Sequence, residues 1–196
     1  MKQGSITRFK RTAALFLSVM MTFVCASCGD SKTDDNSMTR SLLDSYMSSF
    51  LNYDINGLNK CCMARLDGYD DSEEATKGCK ILTSRIVWEC ETISIDGNSA
   101  IAQVKITRPA DFEGICTAAL DEAIDNLDKN PEADPGASLT SALKKQSSGA
   151  ETTEESVEIS MTKVDNKWYI VKSLAMNRII SAIRTPVRSV YLLLGY

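Results

Sequence analysis

Two pairs of strand-forming segments, separated by 40 residues of helical character, constrain this chain most. Arg85 to Ile95 (RIVWECETISI) is rich in β-branched and aromatic side chains, which fit a pleated half-buried surface. Asp96-Gly97-Asn98-Ser99 is a hairpin turn signal, and Ala100 to Thr107 is the return strand, closed by Pro109. Ala100, Ala102, Val104 and Ile106 share its core-facing side. The second pair runs from Thr152 to Val164, with Val157, Ile159 and Met161 inward, through Asp165-Asn166-Lys167 into Trp168 to Leu174. Antiparallel pairs with one apolar face need helices to cover that face, so the pattern predicts an α+β domain.

The covering helices are legible on either side. Ser37 is placed to cap a helix to about Tyr53 with an apolar stripe of Leu42, Leu43, Tyr46, Met47 and Phe50. Asp54 is placed to cap a second helix through Leu66, and Asp71 or Ser72 a third through Leu82, with Gly78 weakening it. Residues 111–150 form an insertion between the strand pairs. Its first part is an amphipathic helix on Ile115, Ala119, Leu120, Ala123, Ile124 and Leu127; a shorter helical piece on Leu139 and Leu143 follows. So long a connection is either a functional, mobile element or a helical lid on the sheet. Residues 175–196 are a basic amphipathic extension in which Pro186 predicts a kink or a restart. Its arginines, Arg178, Arg184 and Arg188, suit either an anionic membrane surface or a helix docked on the sheet.

The first 28 residues set the compartment. Lys2, Arg8, Lys10 and Arg11 open the chain without an acid, and 15 largely apolar residues follow, Thr12 to Ala26. This is the pattern of a secretory signal. A helix of that length reaches about 22 Å, short of a bilayer core of about 30 Å. Cys25-Ala26-Ser27-Cys28 resembles the bacterial lipobox, with Cys25 where that motif usually has Leu. The resemblance implies cleavage before Cys28 and its lipidation (palmitate among the acyl groups), with residues 1–27 as signal peptide and 28–36 as a flexible tether. Ordinary cleavage after Ala26 or Ser27, releasing a secreted protein, is the alternative.

Composition then excludes several classes. The chain has 22 basic and 26 acidic residues; without residues 1–27, which hold four basic residues and no acid, the balance is 18 to 26. An acidic body disfavours nucleic acid. The absence of histidine removes Ser-His-Asp and Cys-His nucleophile systems and His-ligated metals. Five cysteines follow Cys28: Cys61, Cys62, Cys79, Cys90 and Cys116. Without a C-x-x-C pair they do not point to zinc, and they are read either as partial disulfides or as buried thiols. No cofactor or metal is implied.

The order of elements, the Phe50–Leu58 junction (FLNYDINGL) and the Glu154–Val171 hairpin resemble NTF2-like domains of bacterial lipoproteins. The resemblance covers most of residues 37–174. It implies an NTF2-like cone spanning 37–196: N-terminal helices in a curved antiparallel sheet of about four strands, a helical insertion and a C-terminal helix. Such domains serve as enzymes, ligand binders or dimerisation modules. Three functions follow. One is a non-catalytic, lipid-anchored module binding a small ligand or protein, with homodimerisation open. Another is a carboxylate-driven enzyme using Glu89 or Glu91, which share a period-two face with Val87, Ile93 and Ile95. The third is a membrane-surface assembly protein using the basic C-terminal helix. Tyr46, Phe50, Trp88 and Trp168 are candidate pocket-lining residues, with plain core as the alternative.

Overall fold

The structure, a computed structural model, describes residues 30–66, 71–171 and 173–196. The stretch expected to be a signal peptide, Cys28 and most of the 67–71 loop therefore lie outside the described residues. Ten elements follow in order: α1 (Asp30–Leu51), α2 (Ile55–Cys61), α3 (Glu73–Thr83), β1 (Val87–Asp96), β2 (Ser99–Pro109), α4 (Phe112–Lys129), α5 (Pro135–Ser148), β3 (Thr152–Val164), β4 (Lys167–Ile170) and α6 (Leu174–Leu193). The strands form one antiparallel meander in the order β1-β2-β3-β4. One sheet face is buried by Ala100, Ala102, Val104, Ile106, Val157, Ile159 and Met161, as their alternation predicts.

The turns explain the register. Gly97, at φ 57°, opens the two-residue β1–β2 turn. Asp165 and Asn166 both have positive φ, the backbone that a tight I′-type connection between β3 and β4 requires. In β1 the register shifts between Cys90 and Thr92. This bulge puts Glu91 out of phase, so Trp88, Cys90, Ile93 and Ile95 turn toward the helices while Glu89 and Glu91 face solvent. Strict alternation would have grouped Glu89 with Ile93 and Ile95; the extra residue separates them.

Helix α1 starts at Asp30, seven residues before Ser37, so most of the stretch expected as a tether is helical. Ser37 lies inside the helix and donates to the Asp34 carbonyl at 2.8 Å. Acidic residues in the early turns suit the positive helix start. Asp35 Oδ1 also accepts from Lys163 Nζ at 2.6 Å and Trp168 Nε1 at 3.0 Å, tying the helix to the β3–β4 hairpin. These two donors hold the Asp35 carboxyl below its ordinary range. Helix α1 touches both edge strands, β1 and β4. Helix α2 is capped by Asp54 but ends at Cys61, short of Leu66. Cys62 is extended, forms a parallel bridge with Ile170, and is followed by Met63 N–H donating to the Ile170 carbonyl at 2.9 Å.

Helices α4 and α5, the insertion, pack on each other, on α3 and on α6. Asp111, Asp134 and Ser173 cap α4, α5 and α6 with side-chain oxygens, and Pro135 takes the first position of α5, where no N–H is needed. Helix α6 runs through Pro186 without a restart. It buries Met176, Ile179, Ile180, Ile183, Val187 and Val190, chiefly against α3 and α4, with a smaller contact on β3.

The α3–α6 crossing depends on Gly78. A methyl group there would meet Tyr191 Cε2 at 2.7 Å and Val187 Cγ1 at 2.9 Å. Gly78→Ala gains about 1 kcal/mol of helix propensity but forces the crossing apart at about 1–3 kcal/mol. Denaturant unfolding is expected to show net destabilisation, whereas Gly149→Ala, with nothing within 4 Å, is expected to leave the midpoint unchanged or raised.

Candidate functional site

Helix α6 presents three faces. Its buried stripe has been described. On one flank Arg184, Arg188 and Tyr191 turn to α3; on the other Ala182, Thr185, Pro186, Ser189 and Leu193 turn to α4.

The α3 flank holds a buried ionic cluster. Asp71, whose side chain is 1% exposed, accepts from Arg184 Nε at 2.9 and 2.8 Å on its two oxygens. Arg188 Nε lies 3.3 Å away, and the Tyr53 hydroxyl donates at 2.9 Å. Tyr53 terminates α1 with φ 49°, a conformation that favours glycine. The hydrogen bond to Asp71 rewards keeping a tyrosine there despite local strain. Burial raises the Tyr53 hydroxyl above its ordinary range and pushes the neighbouring Cys79 thiol up to about 12. The cluster joins the end of α1, the start of α3 and the middle of α6. It is a latch, with two of its positive charges spent on one carboxylate. Arg184 and Arg188 thus serve to dock α6, while Arg178 is exposed.

The other flank is open. Helices α4 and α6 bound a groove of about 860 Å³. Phe112, Cys116 and Leu120 form one wall, and Ala182, Pro186, Val190 and Leu193 the other. Thr117, Ser181, Thr185 and Ser189 add hydroxyls, with the Ser189 hydroxyl donating to the Thr185 carbonyl at 3.0 Å. Pro186 has no N–H, so the Ala182 carbonyl loses its helical donor four residues on, and both residues line the groove. At one end Arg108 pairs with Glu155 and lies 5.7 Å over the Phe112 ring, while Asp111 caps α4 through Gly114 N–H at 2.8 Å. Burial pushes the Cys116 thiol up to about 12, so it is a protonated apolar group at neutral pH and no activated nucleophile. This site suits an elongated apolar molecule that donates one or two hydrogen bonds.

The residues proposed from sequence are elsewhere. Tyr46, Phe50 and Trp168 are packed in the core, and Trp88 is half-buried beneath Arg40 at 5.8 Å. None of them lines this groove. Glu89 and Glu91 are exposed, so the desolvation that would tune a catalytic carboxylate is missing at both. Among the described residues all five cysteines are free thiols, four of them buried, and no cluster of three acidic or thiol ligands suits a metal. No described helix is long and apolar enough to cross a membrane. The latch was signalled by Arg184 and Arg188, four residues apart on one helical face with no acid on their own helix. Nothing in the sequence signalled the groove, because its two walls come from helices far apart along the chain.

No protein-family model matches the chain, and no curated protein matches it. Its structure is similar to the crystal structure of a "putative lipoprotein (ycdA)" from Bacillus subtilis subsp. subtilis str. 168, at 18% identity and a TM-score of 0.47. The match covers 77% of this chain and 58% of that one.

Removing the latch carboxylate tests how much it holds. Asp71→Asn leaves two guanidinium groups facing a neutral amide; because Arg188 is half-exposed and reaches water, a loss of about 2–4 kcal/mol is expected, at the lower end of buried ion-pair deletions. Chemical denaturation measures it, with loss of protection at α6 in hydrogen exchange.

Proposed function

We propose that this protein is a lipid-anchored, extracytoplasmic lipoprotein whose NTF2-like domain is a non-catalytic binding module. The observation that carries the reading is the leader: a basic start, a short apolar stretch and small residues directly before Cys28. The resemblance of that stretch to a lipobox supports the anchor. The NTF2-like reading is supported by the order of elements and by an N-terminal helix that touches both edge strands of a four-stranded antiparallel sheet. The binding role is supported by the α4–α6 groove, which is apolar along its walls and hydroxyl-lined at its lip. A ligand of elongated, mostly apolar character fits it.

Two experiments test the two halves separately. Cys28→Ala is expected to leave the larger precursor unprocessed and to abolish incorporation of labelled fatty acid; unchanged processing and labelling refute the anchor. Thr185→Trp sets an indole in the groove and is expected to suppress binding of an apolar fluorescent dye at least about tenfold without changing the melting temperature. Dye binding that is untouched refutes the groove as the binding site.

A further inference from the structure

Strand β3 has 13 residues and its outer neighbour β4 has four. The pairing Met161↔Ile170 through Val164↔Lys167 covers only the last part of β3. The printed register shows which main-chain groups are left. Lys163 N–H donates to Asn98 across the β2 side at 2.8 Å, whereas the Ser160 carbonyl accepts from Val171 N–H on the β4 side at 2.8 Å. Odd-numbered β3 residues therefore bond toward β2, and even-numbered ones toward β4. Below Ser160 the Glu158 carbonyl takes only the Ser173 hydroxyl at 3.4 Å. The Glu158 N–H and both groups of Ser156 and Glu154 have no backbone partner among the described residues.

Exposed strand edges are ordinarily blunted, and here the others are. The β4 edge is covered at Ile170 by Cys62 and Met63. The β1 edge is broken by its bulge and carries Glu89 and Glu91. The lower β3 edge has neither a strand partner among the described residues nor a register shift, and it borders a groove of about 410 Å³ whose far wall is Val171, Leu174 and Ala175. Leu174 is 72% exposed and Val171 39%, an apolar pair with nothing on it.

We propose that the lower edge of β3, Thr152–Glu158, is a strand-addition site for an extended peptide segment that alternates apolar and basic residues. The segment lies antiparallel in line with β4 and completes the sheet with main-chain hydrogen bonds to Glu154, Ser156 and Glu158. Its residues opposite these even positions share the solvent face with Glu154 and Glu158. Glu154 is bridged to Lys105 at 2.8 Å, but Glu158 accepts from the Gln103 amide at 2.7 Å and has no cationic partner among the described residues, which selects Lys or Arg. Residues opposite the odd positions share the inner face with Val157, beside the exposed Leu174 of the same groove, which selects aliphatic side chains. A second copy of this chain is disfavoured. Antiparallel self-pairing centred on Ser156 sets Glu154 of each copy against Glu158 of the other. The site is distinct from the α4–α6 groove and does not depend on lipidation of Cys28.

The test uses the full chain in detergent micelles and a fluorescent eight-residue peptide of alternating valine and lysine, read by anisotropy. Saturable binding is expected. Because the lysine amides are the ones aimed at β3, N-methylation of the lysines is expected to weaken binding at least about tenfold, while N-methylation of the valines leaves it. Replacing lysine by glutamate in the peptide is expected to weaken it by at least about tenfold as well. Ser156→Pro removes an edge N–H but no bond to β2, so it is expected to fold and to lose the peptide. Should that variant unfold by circular dichroism, the paired N-methylated peptides decide alone. Equal affinity of the two N-methylated peptides, no binding up to about 1 mM, or a dimer in sedimentation that Ser156→Pro dissolves would each overturn the proposal.

Discussion

A single carboxylate, Asp71, holds the two halves of the helical layer together. It is nearly inaccessible and is satisfied by Arg184, Arg188 and the Tyr53 hydroxyl. Taking a carboxylate out of water carries a large desolvation penalty, which only well-placed positive partners offset. Three separate chain segments must therefore be in place at once: the left-handed end of α1, the lead-in to α3, and the second half of α6. That coupling makes α6 an integral part of the domain. Gly78 then permits α3 and α6 to cross at a distance that no side chain would allow.

Fixing α6 in this way has consequences on its other side. With its basic flank turned to Asp71, the small-residue flank is held away from α4 by the bulk of Phe112 and Leu120, and a groove is left between them. At its beginning, α6 starts so soon after β4 that β4 ends after four residues and the lower half of β3 has no strand on its outer side among the described residues. Both open surfaces are thus by-products of where one helix begins and which way it is rolled.

The strand pairs, their turns and their inward faces were readable from the residues because period-two alternation and turn chemistry are local properties. Caps at Asp54 and Ser72 were equally local. What escaped was non-local or register-breaking. The β1 bulge inverted the expected facing of Ile93 and Ile95 relative to Glu89, and nothing in the residues themselves announces an inserted position. Helix α1 began early because Asp35 finds partners on a hairpin some 130 residues away. Trp168 turned out to be a hydrogen-bonding core residue through that same contact. The candidate site was illegible because it is assembled from the start of α4 and the end of α6, whose adjacency follows from the Asp71 latch.

The early start of α1 carries a mechanical consequence. Only one residue, Gly29, separates Cys28 from the first helical residue, Asp30, so the covalent reach between them is at most about 7 Å. A lipid on Cys28 would therefore act as a short post bolted to a rigid beam, because α1 is itself fastened to the β3–β4 hairpin through Asp35. The two hairpin tips would then stand at the bilayer. Strand β2 runs from its turn at Ser99 to Pro109, a span of about 35 Å, and the groove begins just past its far end, at Arg108 and Phe112. The chain would hold that groove at a set height above the lipid, facing the surrounding medium, where a swinging tether would have let it sweep the membrane surface.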